Sequence, residues 1–148
     1  MADERTNAGE QLLTMVLDRV VPPVDDLPGA GGLGLAPRVV EVAASIARFG
    51  EALGDVEAGL TAELNERDFT ALDAVQQTAI LRAVEQEWPA AFATFVKLTY
   101  LVYYGDSLVQ QRIGWRPGGV QPHGFELPPF EDSVLDKVRQ RAPFWRQL

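Results

Sequence analysis

Every apolar stripe in this chain repeats at the helical period, and prolines stand where one stripe must stop or the next can start. Residues 10–21, EQLLTMVLDRVV, set Leu13, Val16, Leu17 and Val20 on one face, and Pro22-Pro23 ends the run. Pro37 suits the first turn of a second helix, where a missing N–H costs nothing. Its inward positions are Val39, Val42, Ile46 and Phe49, which carries that helix to about Phe49. Asp73 with Gln76 three residues on has the spacing of a capping box, and the helix it opens carries Ile80, Leu81 and Val84 to about Trp88. Pro89 opens the next, through Phe92, Phe95, Val96, Thr99 and Tyr103, with Gly105 as its C-terminal cap. A last helix is expected from about Asp132 to Arg141, before Pro143. Residues 50–59 read as ambiguous, with a short helix at about Leu60–Glu66.

No window alternates apolar and polar residues at period two, and no Asn-Gly or Asp-Gly hairpin signal occurs. The expected fold class is therefore all-α: a small bundle of four to five helices with a long irregular Gly/Pro/aromatic C-terminal strap. A length of 148 residues implies one helical domain over 1–148. Within it, 1–9 is expected to be disordered, 106–131 to form the strap and 132–141 the final helix. A second irregular stretch, Pro22 to Ala36, joins the first two helices and reads as a flexible surface link.

The charge is distributed unevenly. Residues 1–100 hold 16 acids against 7 bases, and residues 101–148 hold 5 against 6, for a net charge of −8. An acidic body argues against phosphate-driven nucleic-acid binding, which needs clustered Lys and Arg. Lys137, Arg139, Arg141 and Arg146 are too few and read as a solvated helix face. No run is long and apolar enough to insert directly in a membrane. The N-terminal MADERTNAGE has no apolar core and no twin arginine, so a cytoplasmic location is expected for the chain as written. A periplasmic location would require that a partner carry the export signal.

Candidate chemistry is sparse. With no cysteine, thiolate metal sites, iron–sulfur clusters and covalent haem attachment are excluded. Gly29-Ala30-Gly31-Gly32-Leu33-Gly34 matches the dinucleotide fingerprint G-x-G-x-x-G by letter, but the proline-rich segment before it cannot be a central strand. Asp25-Asp26 would also sit where phosphate approaches. His123 is the single histidine, which leaves no His-based metal set. The acid pairs Asp25-Asp26, Glu85/Glu87 and Glu131-Asp132 read as loop, helix flank and helix start rather than as acid–base machinery. No catalytic, cofactor-binding or metal residues are expected in the chain.

The aromatic residues are harder to dismiss. Tyr100 and Tyr104 lie on one helix face as i, i+4 neighbours, with Tyr103 beside them toward Phe92 and Phe95. Burying three tyrosines in so small a bundle would demand three hydrogen-bond partners. Some of these rings must lie at a boundary, under the chain's own strap or against a partner. Trp115 and Phe125 follow in a glycine- and proline-broken segment, and Tyr and Trp are enriched at binding hot spots.

Several segments together resemble the gluconate 2-dehydrogenase subunit 3 family. They are Val16-Leu17-Asp18-Arg19-Val20-Val21-Pro22, then Pro28-Gly29-Ala30, then Phe69-Thr70-Ala71-Leu72-Asp73 with Gln76-Gln77. The last is Thr99-Tyr100 and Tyr103-Tyr104, leading through Ile113-Gly114-Trp115 to Pro122-His123-Gly124-Phe125-Glu126-Leu127. The resemblance implies a non-catalytic accessory subunit without a cofactor of its own. It would bind a large FAD-binding catalytic subunit of a sugar or glycoside oxidoreductase and support its folding or flavin loading. A cytochrome subunit is a further implied partner. On this reading Tyr100, Tyr104, Trp115, His123 and Phe125 form the partner interface. The alternative is a stand-alone helical enzyme or small-molecule binder with a pocket under the strap.

Overall fold

The computed structural model describes residues 2–115 and 131–141, in two compact units divided between Pro117 and Gly118. The first holds α1 (Ala2–Val20), α2 (Ala36–Ser45), α3 (Ala47–Leu64), a 3-10 turn at Phe69–Ala71, α4 (Ala74–Glu87), α5 (Pro89–Gly105) and α6 (Ser107–Arg112). The second holds a 3-10 turn at Asp132–Leu135 followed by α7 (Asp136–Arg139). Among the described residues there is no strand, only one isolated antiparallel bridge between Val24 and Leu27. The all-α reading holds.

α3 packs against α2, α4 and α5, so it is the centre of the bundle. Val16, Leu17, Val39, Val56, Val84, Phe95 and Leu98 are all sealed into one core. This gives residues 50–59 their answer: they belong to an uninterrupted α3. Three glycines in that stretch lower local helix propensity, by about 1 kcal/mol each, but Gly59 is needed where it stands. A Cβ on Gly59 would lie 3.0 Å from Val84 Cγ1 and 3.2 Å from the Trp88 ring, so the small residue lets α4 approach α3.

The second helix does not run to Phe49. It stops at Ser45, and Ile46 takes an extended conformation (φ −132°, ψ 107°) before α3 starts. The Ser45 hydroxyl donates to the Val42 carbonyl at 2.8 Å, competing with the helix's own ladder. A Cβ on Gly50 would meet the Ala43 carbonyl oxygen at 3.1 Å, so glycine there allows the tight corner. The bend turns Phe49 into the core and leaves Ile46 at the surface.

The capping box is present as the spacing implies. Gln76 N–H donates to Asp73 Oδ1 at 2.8 Å, and Asp73 N–H donates to Gln76 Oε1 at 3.1 Å. Gln77, buried next to it, donates to the carbonyls of Phe69 and Leu72 at 3.0 and 3.1 Å, which locks the preceding turn under α4. α3 ends with Asn65 left-handed (φ 45°), and Arg67 caps its last carbonyls at Glu63 and Leu64.

Two expected irregular stretches contain more order than their composition suggests. Helical backbone begins at Ala2, within residues 1–9. Residues 107–112, placed in the strap from sequence, form α6, because Asp106 caps its N-terminus by accepting from Leu108 and Val109 N–H. Val109 then seals completely into the core. Gly105 is consequently the last residue of α5, and Asp106 is the cap. The expected final helix is realised as the 3-10 turn and α7, where Arg139 lies 3.6 Å from Asp136.

Candidate partner interface

The three tyrosines divide sharply. Tyr103 is 3% exposed and donates its hydroxyl to the Pro28 carbonyl at 3.1 Å. Burial raises its pKa above the ordinary 10.0, with the neighbouring Tyr104 and Asp106 adding to the effect. Tyr100 and Tyr104, 45% and 51% exposed, stack edge to face with centroids 6.0 Å apart. Tyr104 also meets Tyr103 edge-on at 5.3 Å. The inner ring thus packs on Tyr104, which packs on Tyr100, and no buried phenol is left without a partner.

Behind Tyr103 lies the segment 22–35, which is not a flexible link. Asp18, on the last turn of α1, accepts from the Gly31 and Gly32 amides through one oxygen, at 2.8 and 3.0 Å. A Cβ on Gly31 would collide with the Thr14 carbonyl oxygen, and one on Gly29 with the Asp18 carboxylate. The two glycines are therefore demanded by close approach to α1. The carboxylate also occupies two amides that an anion at a glycine loop would use. Asp25 (φ 53°) and Asp26 sit at the tip of the bridge formed by Val24 and Leu27.

α6 is fastened to that same tip. Arg112 Nε reaches both Asp26 carboxylate oxygens at 3.0 Å, and Nη2 donates to Oδ1 as well. This side-chain hydrogen bond holds the Asp26 carboxyl below its ordinary pKa and raises that of Arg112. The Gln110 side chain donates to the Tyr104 carbonyl at 3.1 Å, while Trp115 N–H donates to the Gln110 carbonyl at 2.7 Å. Backbone and side-chain bonds therefore gather Tyr104, Gln110 and Trp115 at one end of the unit. Gly114 makes the turn between them at φ 76°.

Large apolar side chains are concentrated among the exposed residues of this end. Of twelve exposed large hydrophobic residues described, six fall in residues 100–115: Tyr100, Leu101, Tyr104, Leu108, Ile113 and Trp115. Trp115 is 50% exposed. Scattered exposed apolar residues need no explanation, but this concentration does. Three of the five residues expected at an interface, Tyr100, Tyr104 and Trp115, lie in it, while His123 and Phe125 lie outside the described residues. Leu101, Leu108 and Ile113 were not singled out from sequence, since each fits an apolar helix stripe equally well. Their only signal is that each falls off the buried face set by Leu98, Val102 and Val109.

Among the described residues, no group of three or more His, Asp or Glu could hold a metal ion. No described helix is long and apolar enough to cross a membrane. A protein-family model described as gluconate 2-dehydrogenase subunit 3 matches residues 8–122. No match is found among curated proteins or among solved structures.

Proposed function

This chain belongs to the gluconate 2-dehydrogenase subunit 3 family, and we propose that it is a non-catalytic accessory subunit docking on a large FAD-binding catalytic subunit of a sugar or glycoside oxidoreductase. The family's name is that of one subunit in a multi-subunit dehydrogenase. The observation that carries the reading is the apolar surface at residues 100–115. Fully burying a large side chain of this kind is worth about 1.5–3 kcal/mol. Tyr and Trp add hot-spot character at low side-chain entropy. FAD belongs to the partner, and this subunit supports the partner's folding or flavin loading. In this proposal His123 and Phe125 also contact the flavoprotein, and a cytochrome subunit is a further partner of the complex.

Co-expression with an FAD-binding catalytic subunit of a sugar or glycoside oxidoreductase tests the role directly. Yellow, active flavoprotein should copurify with this subunit and be poorly loaded without it. Equal yield and flavin content in its absence would sink the assembly role. Trp115→Ala should weaken the complex by about 2 kcal/mol, measured by titration calorimetry. Its own unfolding midpoint should stay within about 0.5 kcal/mol of the parent, because the ring is half exposed.

A further inference from the structure

A second surface adjoins Tyr100. One cleft follows α4 past Val75, Thr78, Ala79 and Ala83, with a volume of ≈ 640 Å³. Another, of ≈ 190 Å³, is floored by Val20, Leu81, Phe92 and Val96 and ends at Tyr100. Arg19, Thr78 and Arg82 line both, so the two clefts form one groove between α1, α4 and α5.

The chemistry of this groove stands apart from that of the body around it. Residues 1–100 carry 16 acids and only 7 bases, yet two of those bases stand together at the junction of the clefts. Neither Arg19 nor Arg82 pairs with an acid among the described ion pairs. Glu85 is the one acid lining either cleft. Guanidinium groups take carboxylates in a planar, two-pronged geometry and are weakly hydrated, which suits them to interface pairing. The floor between them is apolar.

We propose that this groove receives an acidic amphipathic segment of the flavoprotein partner, its apolar side chains on Val20, Phe92 and Val96 and its carboxylates on Arg19 and Arg82. The inference rests on the docking role proposed above and extends that surface from Tyr100 along α4. Arg19 and Arg82 then act mainly on encounter and register, because charges at a rim steer association and make it salt-dependent.

The test measures association of the flavoprotein with immobilised full-length subunit by surface plasmon resonance at low and high salt. Wild type should associate about tenfold faster at low salt than Arg19→Gln/Arg82→Gln. Its rate should fall with added salt, and the double variant's rate should be nearly flat. Arg19→Lys/Arg82→Lys keeps the charge and should keep the salt dependence, which separates electrostatics from misfolding. Arg19→Glu/Arg82→Glu should associate more slowly still. A Gln variant with the wild-type rate and salt slope would overturn the groove while leaving the docking role standing. Faster association of the Glu variant would mean a basic occupant and overturn it too. Wild type that fails to bind the flavoprotein at any salt would remove both.

Discussion

The segments 22–35 and 105–115 both carry glycine, four residues in the first and two in the second, yet they use it in opposite ways. In the first, Gly29 and Gly31 press against α1, and Asp18 takes two of the loop's amides. In the second, a Cβ on Gly105 or Gly114 would meet nothing within 4 Å, and large apolar side chains face outward. The first spends Gly29 and Gly31 on contact within the chain. The second leaves its surface for something else. Glycine content alone therefore says nothing about whether a segment is a structural latch or a docking face; the space around each Cβ does.

That contrast can be broken by substitution. Gly31→Ala should have the largest effect, a loss of about 3 kcal/mol or more in chemical denaturation, because the atom it would displace is helix backbone. Unfolding curves indistinguishable from the parent would show that the loop is not latched. Asp18→Ala should cost about 2–3 kcal/mol, since two amides lose their acceptor, and Asp18→Asn should recover part of it.

Tyr103→Phe removes the bond to Pro28 and should cost about 1 kcal/mol. It also sharpens the comparison in pH. Burial raises the folded-state pKa of Tyr103, so its neutral form is favoured in the native state. The unfolded chain loses this proton first, near pH 10, and stability drains as pH rises from there through the folded value. The parent should therefore lose stability above pH 10 more steeply than Tyr103→Phe, read from thermal melts across that range. The smallest effect belongs to Gly105→Ala. It has open space at the end of α5, and its unfolding midpoint should stay within about 0.5 kcal/mol of the parent or rise slightly.

Where the sequence spoke clearly, the signal was local. The Asp73–Gln76 box closes within one turn, and the proline at 89 opens its helix with no help from elsewhere. The i, i+4 spacing put Tyr100 and Tyr104 on one face with Tyr103 beside them, and the outer two pack edge to face while Tyr103 is buried. Where it was silent, the cause was distant. Residues 50–59 read as ambiguous because the reason for Gly59 is Val84 on α4 and Trp88 at the junction of α4 and α5. Arg112 and Asp26 are 86 positions apart, so no spacing rule joins them. Asp18 is one acid among many until the fold brings Gly31 to it.

The sequence by itself determined the helical class, the starts of α2, α4 and α5, and the family, because periodicity, caps and short motifs are properties of neighbouring residues. The tertiary structure decided which glycines are obligatory, which tyrosine is buried and which apolar residues are left over at the surface. Those outcomes depend on what the folded chain brings within a few ångströms, and a side chain's exposure is fixed only once every helix has found its neighbour.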